Sequence, residues 1–351
     1  MLRPLLLSCL VFAAFALNAG GSEVIPHGRV VTDSLWSPEL GVRKQMQVYL
    51  PPDYSTATTA TRRYPLVVYL HGRWGDETDL VTKGHLALAM DSLIAEGMPP
   101  MIVAMPDGDD GWWMTWATPD DPAECQRTPH REEPPAEFCV RTQRYDAYVA
   151  HDVLSHVDSS YRTMAMRDAR GIAGLSMGGY GAITIAARYP QLFSTAVSHD
   201  GILSPGLLAD SSALVSRGPV RWRQGRTTAE LQLATGFRWP SMFPQFGVDP
   251  ASWLARDPVV LLEQARRAGA SLPELYIDVA RAEEAARQNR IFRERLIGMK
   301  IPITYSEWPG KHAWEYWRAH VPDGLQFLAA RLARPALAMR TPSVADARGP
   351  E

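Results

Sequence analysis

The chain has 351 residues, 46% of them hydrophobic and 21% charged, enough apolar material for a large buried core. Its 36 basic and 38 acidic residues leave a net charge of −2, which excludes the strongly basic field of a nucleic-acid binder. The 11 tryptophans serve core and rim packing in the ordinary case, and can also line a cleft for aromatic or sugar groups.

In chain order, Met1-Leu2-Arg3 gives a positive start to an apolar run from Leu5 to Leu17, and Ala14-Phe15-Ala16 offers a small-x-small cleavage site. Residues 1–21 are expected to be a cleavable export signal, with cuts after Ala19 or Gly21 as further options, so the mature protein is expected outside the cytoplasm, secreted or periplasmic. The run is too short to span a bilayer, and no later stretch is long enough. Cys9 lies within this segment, leaving Cys125 and Cys139. In an oxidising compartment these two most simply form one disulfide, two free thiols being the alternative.

Residues 30–34 and Lys44 to Leu50 alternate as strands, and Pro65 to Leu70 is a continuous apolar run, as a strand covered on both faces requires. Leu86 to Glu96 reads as an amphipathic helix and Met101 to Met105 as the next strand, giving a βαβ rhythm. Asp109 to Val140 is a long loop rich in Trp, Pro and charge, which suggests a functional rim. Tyr145 to Tyr161 reads as a helix and Leu192 to Ser198 as a strand. Ser204 to Ala255 lacks sheet rhythm, and residues 205–255 are a candidate cap. Leu275 to Val279 is a strand, Glu283 to Met299 a helix, Ile301 to Glu307 the last strand and Ala313 to Ala333 the last helix. Residues 22–333 are thus expected to form one α/β domain, a mostly parallel sheet with helices on both faces, and 334–351 a disordered tail.

Gly174-Leu175-Ser176-Met177-Gly178 follows a small, apolar strand end and precedes a helix at Ala182 to Tyr189. A serine wedged there must occupy a sharp turn, with glycines two residues to either side allowing close backbone approach; this is a nucleophile elbow. A serine nucleophile needs a histidine base oriented by a carboxylate. His312, in the Gly-containing loop Trp308 to Trp314, stands where such a base belongs, whereas His320 lies inside the last helix. For the acid, Glu283 fits the start of the helix after the strand Leu275 to Val279; Glu284 fits as well, and Asp278 lies nearer the strand interior. The N–H groups of Arg73, in the loop His71-Gly72-Arg73, and of Met177 are the expected oxyanion donors, with a structural role left for His71. Trp113 and Trp314 are candidate substrate contacts.

Val48-Tyr49-Leu50-Pro51-Pro52, Leu70-His71-Gly72, Met105-Pro106-Asp107-Gly108, Gly174 to Gly179, Gly310 to Trp314 and Tyr316-Trp317-Arg318 together resemble the esterase D family of α/β-hydrolases, which includes feruloyl and acetyl-xylan esterases, S-formylglutathione hydrolases and mycolyltransferase antigens. The resemblance covers about residues 30–332. It implies an α/β-hydrolase fold, Ser176 as nucleophile, His312 as base, Arg73 and Met177 as oxyanion donors, and chemistry that needs neither metal nor organic cofactor. It also implies a small or polysaccharide-linked ester as substrate, with acyl transfer or a catalytically impaired binding protein as alternatives. Where the family usually reads Gly-x-Glu-Asp after its strand, this chain reads Ala280-Arg281-Ala282-Glu283.

Overall fold

A computed structural model describes residues 27–127, 135–209, 222–282 and 284–332. The expected export signal at 1–21, the tail at 334–351 and Glu283 itself fall outside the described residues.

Eight strands form the central sheet: β1 (Arg29–Ser37), β2 (Val42–Leu50), β3 (Leu66–Leu70), β4 (Ile102–Pro106), β5 (Arg170–Leu175), β6 (Thr195–His199), β9 (Glu274–Ala280) and β10 (Thr304–Trp308), in the spatial order β1-β2-β4-β3-β5-β6-β9-β10. β1 pairs antiparallel with β2, and β2 with β4; all other pairings are parallel. Two short strands, β7 (Leu207–Ala209) and β8 (Trp222–Gln224), pair apart from this sheet. All five residues of β3 are buried, because helices cover both faces. Leu66, Val68 and Leu70 enter one core, and Val67 and Tyr69 the other, with the period of two that a strand imposes.

Helices α1 (Leu86–Ala95) and α6 (Trp314–Arg331) close one face through Leu86, Met90, Val321, Leu325 and Leu328. On the other lie α2 (Leu154–Ser160), α3 (Met177–Arg188), α4 (Pro258–Arg267) and α5 (Glu284–Gly298), contributing Leu154, Ile183, Leu262 and Phe292. The chain runs outward from β3 in both directions, to β4 on one side and to β5 and β6 on the other. The loops after β3 and β5 therefore flank the switch point, where open α/β sheets place their ligand crevice.

Several boundaries differ from the sequence expectation; α3 begins at Met177, directly after the elbow serine, five residues ahead of Ala182. β6 begins at Thr195, three residues late, because the chain is still turning at Leu192, whose N–H donates to the Tyr189 carbonyl. β10 begins at Thr304, since Pro302 has no N–H to give to a ladder. The helix expected over Tyr145 to Tyr161 contains a wider π-helical stretch, Tyr148–Val153, before α2. Within the Trp-rich loop, Cys125 and Cys139 form a disulfide with Cα atoms 5.6 Å apart.

Candidate active site

Ser176 stands between β5 and α3 with φ 55° and ψ −116°, a conformation that a non-glycine residue adopts only when its surroundings impose it. The surroundings do so: its N–H donates to the His199 carbonyl at 3.0 Å, and its carbonyl accepts from the Tyr180 N–H at 3.2 Å. Both flanking glycines are needed for closeness. A Cβ on Gly174 would lie 2.2 Å from the Gly178 carbonyl oxygen, and one on Gly178 would lie 2.2 Å from the Leu70 carbonyl oxygen. Those neighbours are backbone and cannot swing away, so Gly178→Ala should cost at least about 1–3 kcal/mol in chemical unfolding. An unchanged denaturation midpoint would mean that the elbow tolerates a side chain there.

The Ser176 hydroxyl lies 2.8 Å from His312 Nε2. His312 comes from the loop between β10 and α6, and its ring meets the Trp317 indole edge-on at 5.0 Å. Its Nδ1 lies 2.6 Å from Asp200 Oδ2. A carboxylate only accepts, so Nδ1 carries the hydrogen and the Nε2 lone pair faces the serine.

Asp200 is the residue that the sequence reading passed over. It follows β6 directly, adopts φ 52°, which aspartate tolerates better than most residues, and is fully buried. Its N–H donates to the Asp278 carbonyl at 2.7 Å, and its Oδ1 accepts from the Ala280 N–H at 3.3 Å. The carboxylate seat on His312 that the sequence assigned to Glu283 is thus filled from one strand nearer the nucleophile. Asp278, the other candidate, is engaged elsewhere: it accepts from His199 Nδ1 at 2.6 Å and from the Tyr316 hydroxyl at 2.8 Å, inside the core. The signal available in the sequence was Asp200-Gly201 at the end of a strand.

His71 is buried, and its Nε2 accepts from the Gly108 N–H at 3.0 Å, so it tethers the Arg73 loop to the loop after β4. Gly72 brings that loop against the elbow: a Cβ there would lie 3.4 Å from Ser176 Cβ. Arg73 and Met177 both line a cavity of about 280 Å³ that opens onto Ser176 and His312.

The two expected aromatic contacts are not among the residues lining this cavity. Trp113 is sealed in the core, where it packs on Gly108 and Gly181 and donates to the His71 carbonyl at 3.2 Å. Trp314 packs edge-on against Trp317 at 5.1 Å. Trp74 and Trp112 line the wall instead, and the 205–255 excursion adds Pro205, Arg238 and Met242.

Sheet order, elbow and switch-point cavity define an α/β-hydrolase. The Esterase family model, described as "Putative esterase", matches residues 37–328, and the chain belongs to that family. It is 30% identical over 280 residues to Esterase Rv1288 of Mycobacterium tuberculosis, covering 78% of this chain and 53% of that protein. It is also 29% identical over 185 residues to an endo-1,4-beta-xylanase/feruloyl esterase of Xylanibacter ruminicola, covering 52% of this chain and 22% of that protein. The chain spans about half the length, or less, of these curated relatives. Among solved structures, a ferulic acid esterase superposes with a TM-score of 0.62 at 20% identity, covering 88% of this chain and 99% of its own. An S-formylglutathione hydrolase from Agrobacterium tumefaciens gives 0.60 at 23%, covering 88% and 97%; at these identities the likeness is one of fold.

Proposed function

We propose that the protein is a secreted serine carboxylesterase that hydrolyses extracellular esters of the feruloyl or acetyl type through an acyl-enzyme. The observation that carries this reading is the unbroken chain from the Ser176 hydroxyl through His312 to Asp200, at 2.8 and 2.6 Å.

His312 Nε2 takes the hydroxyl proton as Ser176 Oγ attacks the ester carbonyl, while buried Asp200 stabilises the imidazolium. The N–H groups of Arg73 and Met177 receive the oxyanion. The intermediate collapses, the alcohol leaves with the proton from His312, and an ester to Ser176 remains. Water then gives a proton to His312 as it attacks the acyl carbon; collapse releases the carboxylic acid and returns the hydrogen to Ser176.

The feruloyl esterase relationship and the Trp112 indole in the cavity wall favour such substrates, and the cavity's size suits a small acyl group. No helix among the described residues is long and apolar enough to cross a membrane. The signal-like pattern of residues 1–21 and the Cys125–Cys139 bridge favour an oxidising compartment.

The test is hydrolysis of p-nitrophenyl acetate together with labelling by a fluorophosphonate. Wild type should turn over and take the label on Ser176, and Ser176→Ala should lose on the order of 10⁶ in kcat. A wild-type protein with neither turnover nor label would sink the reading.

A further inference from the structure

The cavity that holds the reacting serine carries a fixed cation in its wall: Arg73 lines it, and no carboxylate does so among the described residues. Arg73 is the telling residue. Its Nε is sealed from solvent and meets no hydrogen-bond acceptor among the described residues. A guanidinium is a fixed cation with five N–H donors, and because the Nε is out of reach and Arg73 as a whole is only half-buried at the cavity, its outer nitrogens are the ones that can meet an acceptor brought by a ligand. The side chain is also held in place. Its guanidinium lies 4.9 Å from the centre of the Trp74 ring, and Trp74 is itself fixed at φ 61° by donating its N–H to Asp110 Oδ1 at 2.7 Å. Stacking occupies the guanidinium face and leaves its N–H edge directed in plane, the geometry that meets a carboxylate fork to fork.

We propose that this cleft selects esters that carry an anionic group, a carboxylate in the simplest case, bound by Arg73. This rests on the reading of Ser176 as the nucleophile.

The experiment uses two matched pairs. Mono-p-nitrophenyl glutarate against its methyl ester places the charge on the acyl side, and 4-acetoxybenzoate against its methyl ester places it on the alcohol side. Wild type should favour the free acid in one pair by about 10- to 100-fold in kcat/KM, the span expected for a charge-assisted hydrogen bond in a cleft. Arg73→Gln should bring that ratio close to one and Arg73→Lys should restore part of it; taking the ratio cancels any general change in the oxyanion loop. Wild-type ratios at or below one in both pairs overturn the proposal. Binding of both pairs to Ser176→Ala, followed by tryptophan fluorescence, separates the two readings. Tighter binding of the acid in one pair without wild-type turnover would uphold the anion site and reject the esterase, whereas equal binding of acid and methyl ester in both pairs would reject the anion site alone.

Discussion

Asp200→Asn should lower kcat for p-nitrophenyl acetate by about 10⁴-fold with little change in unfolding midpoint, whereas Glu283→Gln should leave kcat within a few-fold of wild type. Asparagine keeps the shape of the side chain and can still accept at Oδ1 from the Ala280 N–H. What it loses is the charge, and it can present an NH₂ group to His312 Nδ1. The imidazole would then accept at Nδ1 and carry its hydrogen on Nε2, facing the Ser176 hydroxyl with a donor where a base is needed. The activity loss should therefore appear in kcat more than in KM, and it should not track stability. Asp278→Asn supplies the contrast. It turns one of the two buried acceptors that face His199 and Tyr316 into an NH₂ group and removes the charge, so it should lower the unfolding midpoint and reduce activity only as far as the fold suffers. If Glu283→Gln were the crippled variant and Asp200→Asn the mild one, the carboxylate seen against His312 would not be the working acid.

That prediction also marks how far the sequence could be read. Elements that bury both faces announce themselves through continuous apolar runs, as at β3 and β4, and the elbow announces itself because only glycine fits at 174 and 178. The histidine that faces Ser176 was legible because it sits alone in the loop before the last helix. The carboxylate that faces it was not, because the chain order serine, acid, histidine points equally to a carboxylate after β9. The seat beside His312 depends on which strand ends near β5 in space, and β6, not β9, is the direct neighbour of β5. Adjacency within a parallel sheet leaves no local mark on the chain. Trp113 failed for a related reason: a tryptophan in a polar loop looks like a rim residue until Gly108 and Gly181 are seen to open a slot for it in the core. Trp74 lay beside His71-Gly72-Arg73 and was not selected, although it is 78% exposed at the cavity.

Lys44→Met should destabilise the protein by about 3–5 kcal/mol at pH 7, and the deficit should narrow as the pH falls. Lys44 points from β2 into the interior and is fully buried, with its ammonium 2.5 Å from Asp107 Oδ2 and 2.7 Å from Asp109 Oδ1. The Tyr145 hydroxyl donates to the other oxygen of Asp109 at 2.8 Å. Burial alone would raise the Asp107 carboxyl, but the Lys44 ammonium more than offsets it and holds the group below the usual carboxylate range. Burial would likewise lower Lys44, and the two carboxylates outweigh it, so the ammonium titrates above its ordinary value. The signs then follow. Asp107, depressed in the folded state, contributes stability that is present above about pH 4 and is lost as the pH drops further; Lys44, raised, contributes stability that is complete below about pH 10 and is lost above it. In the methionine variant two carboxylates remain buried with their ammonium gone, and protonation of one relieves them. Wild type should thus lose stability from pH 5 towards pH 3 while the variant loses less, and urea unfolding across that range reads the difference. The consequence reaches the proposed active site, because Asp107 precedes Gly108, whose N–H is held by His71 in the loop that carries Arg73. A folded Lys44→Met should show a raised KM or a lowered kcat for p-nitrophenyl acetate as that loop loosens. A deficit below about 1 kcal/mol at pH 7, unchanged between pH 5 and pH 3, would mean that the buried charges are compensated by other partners.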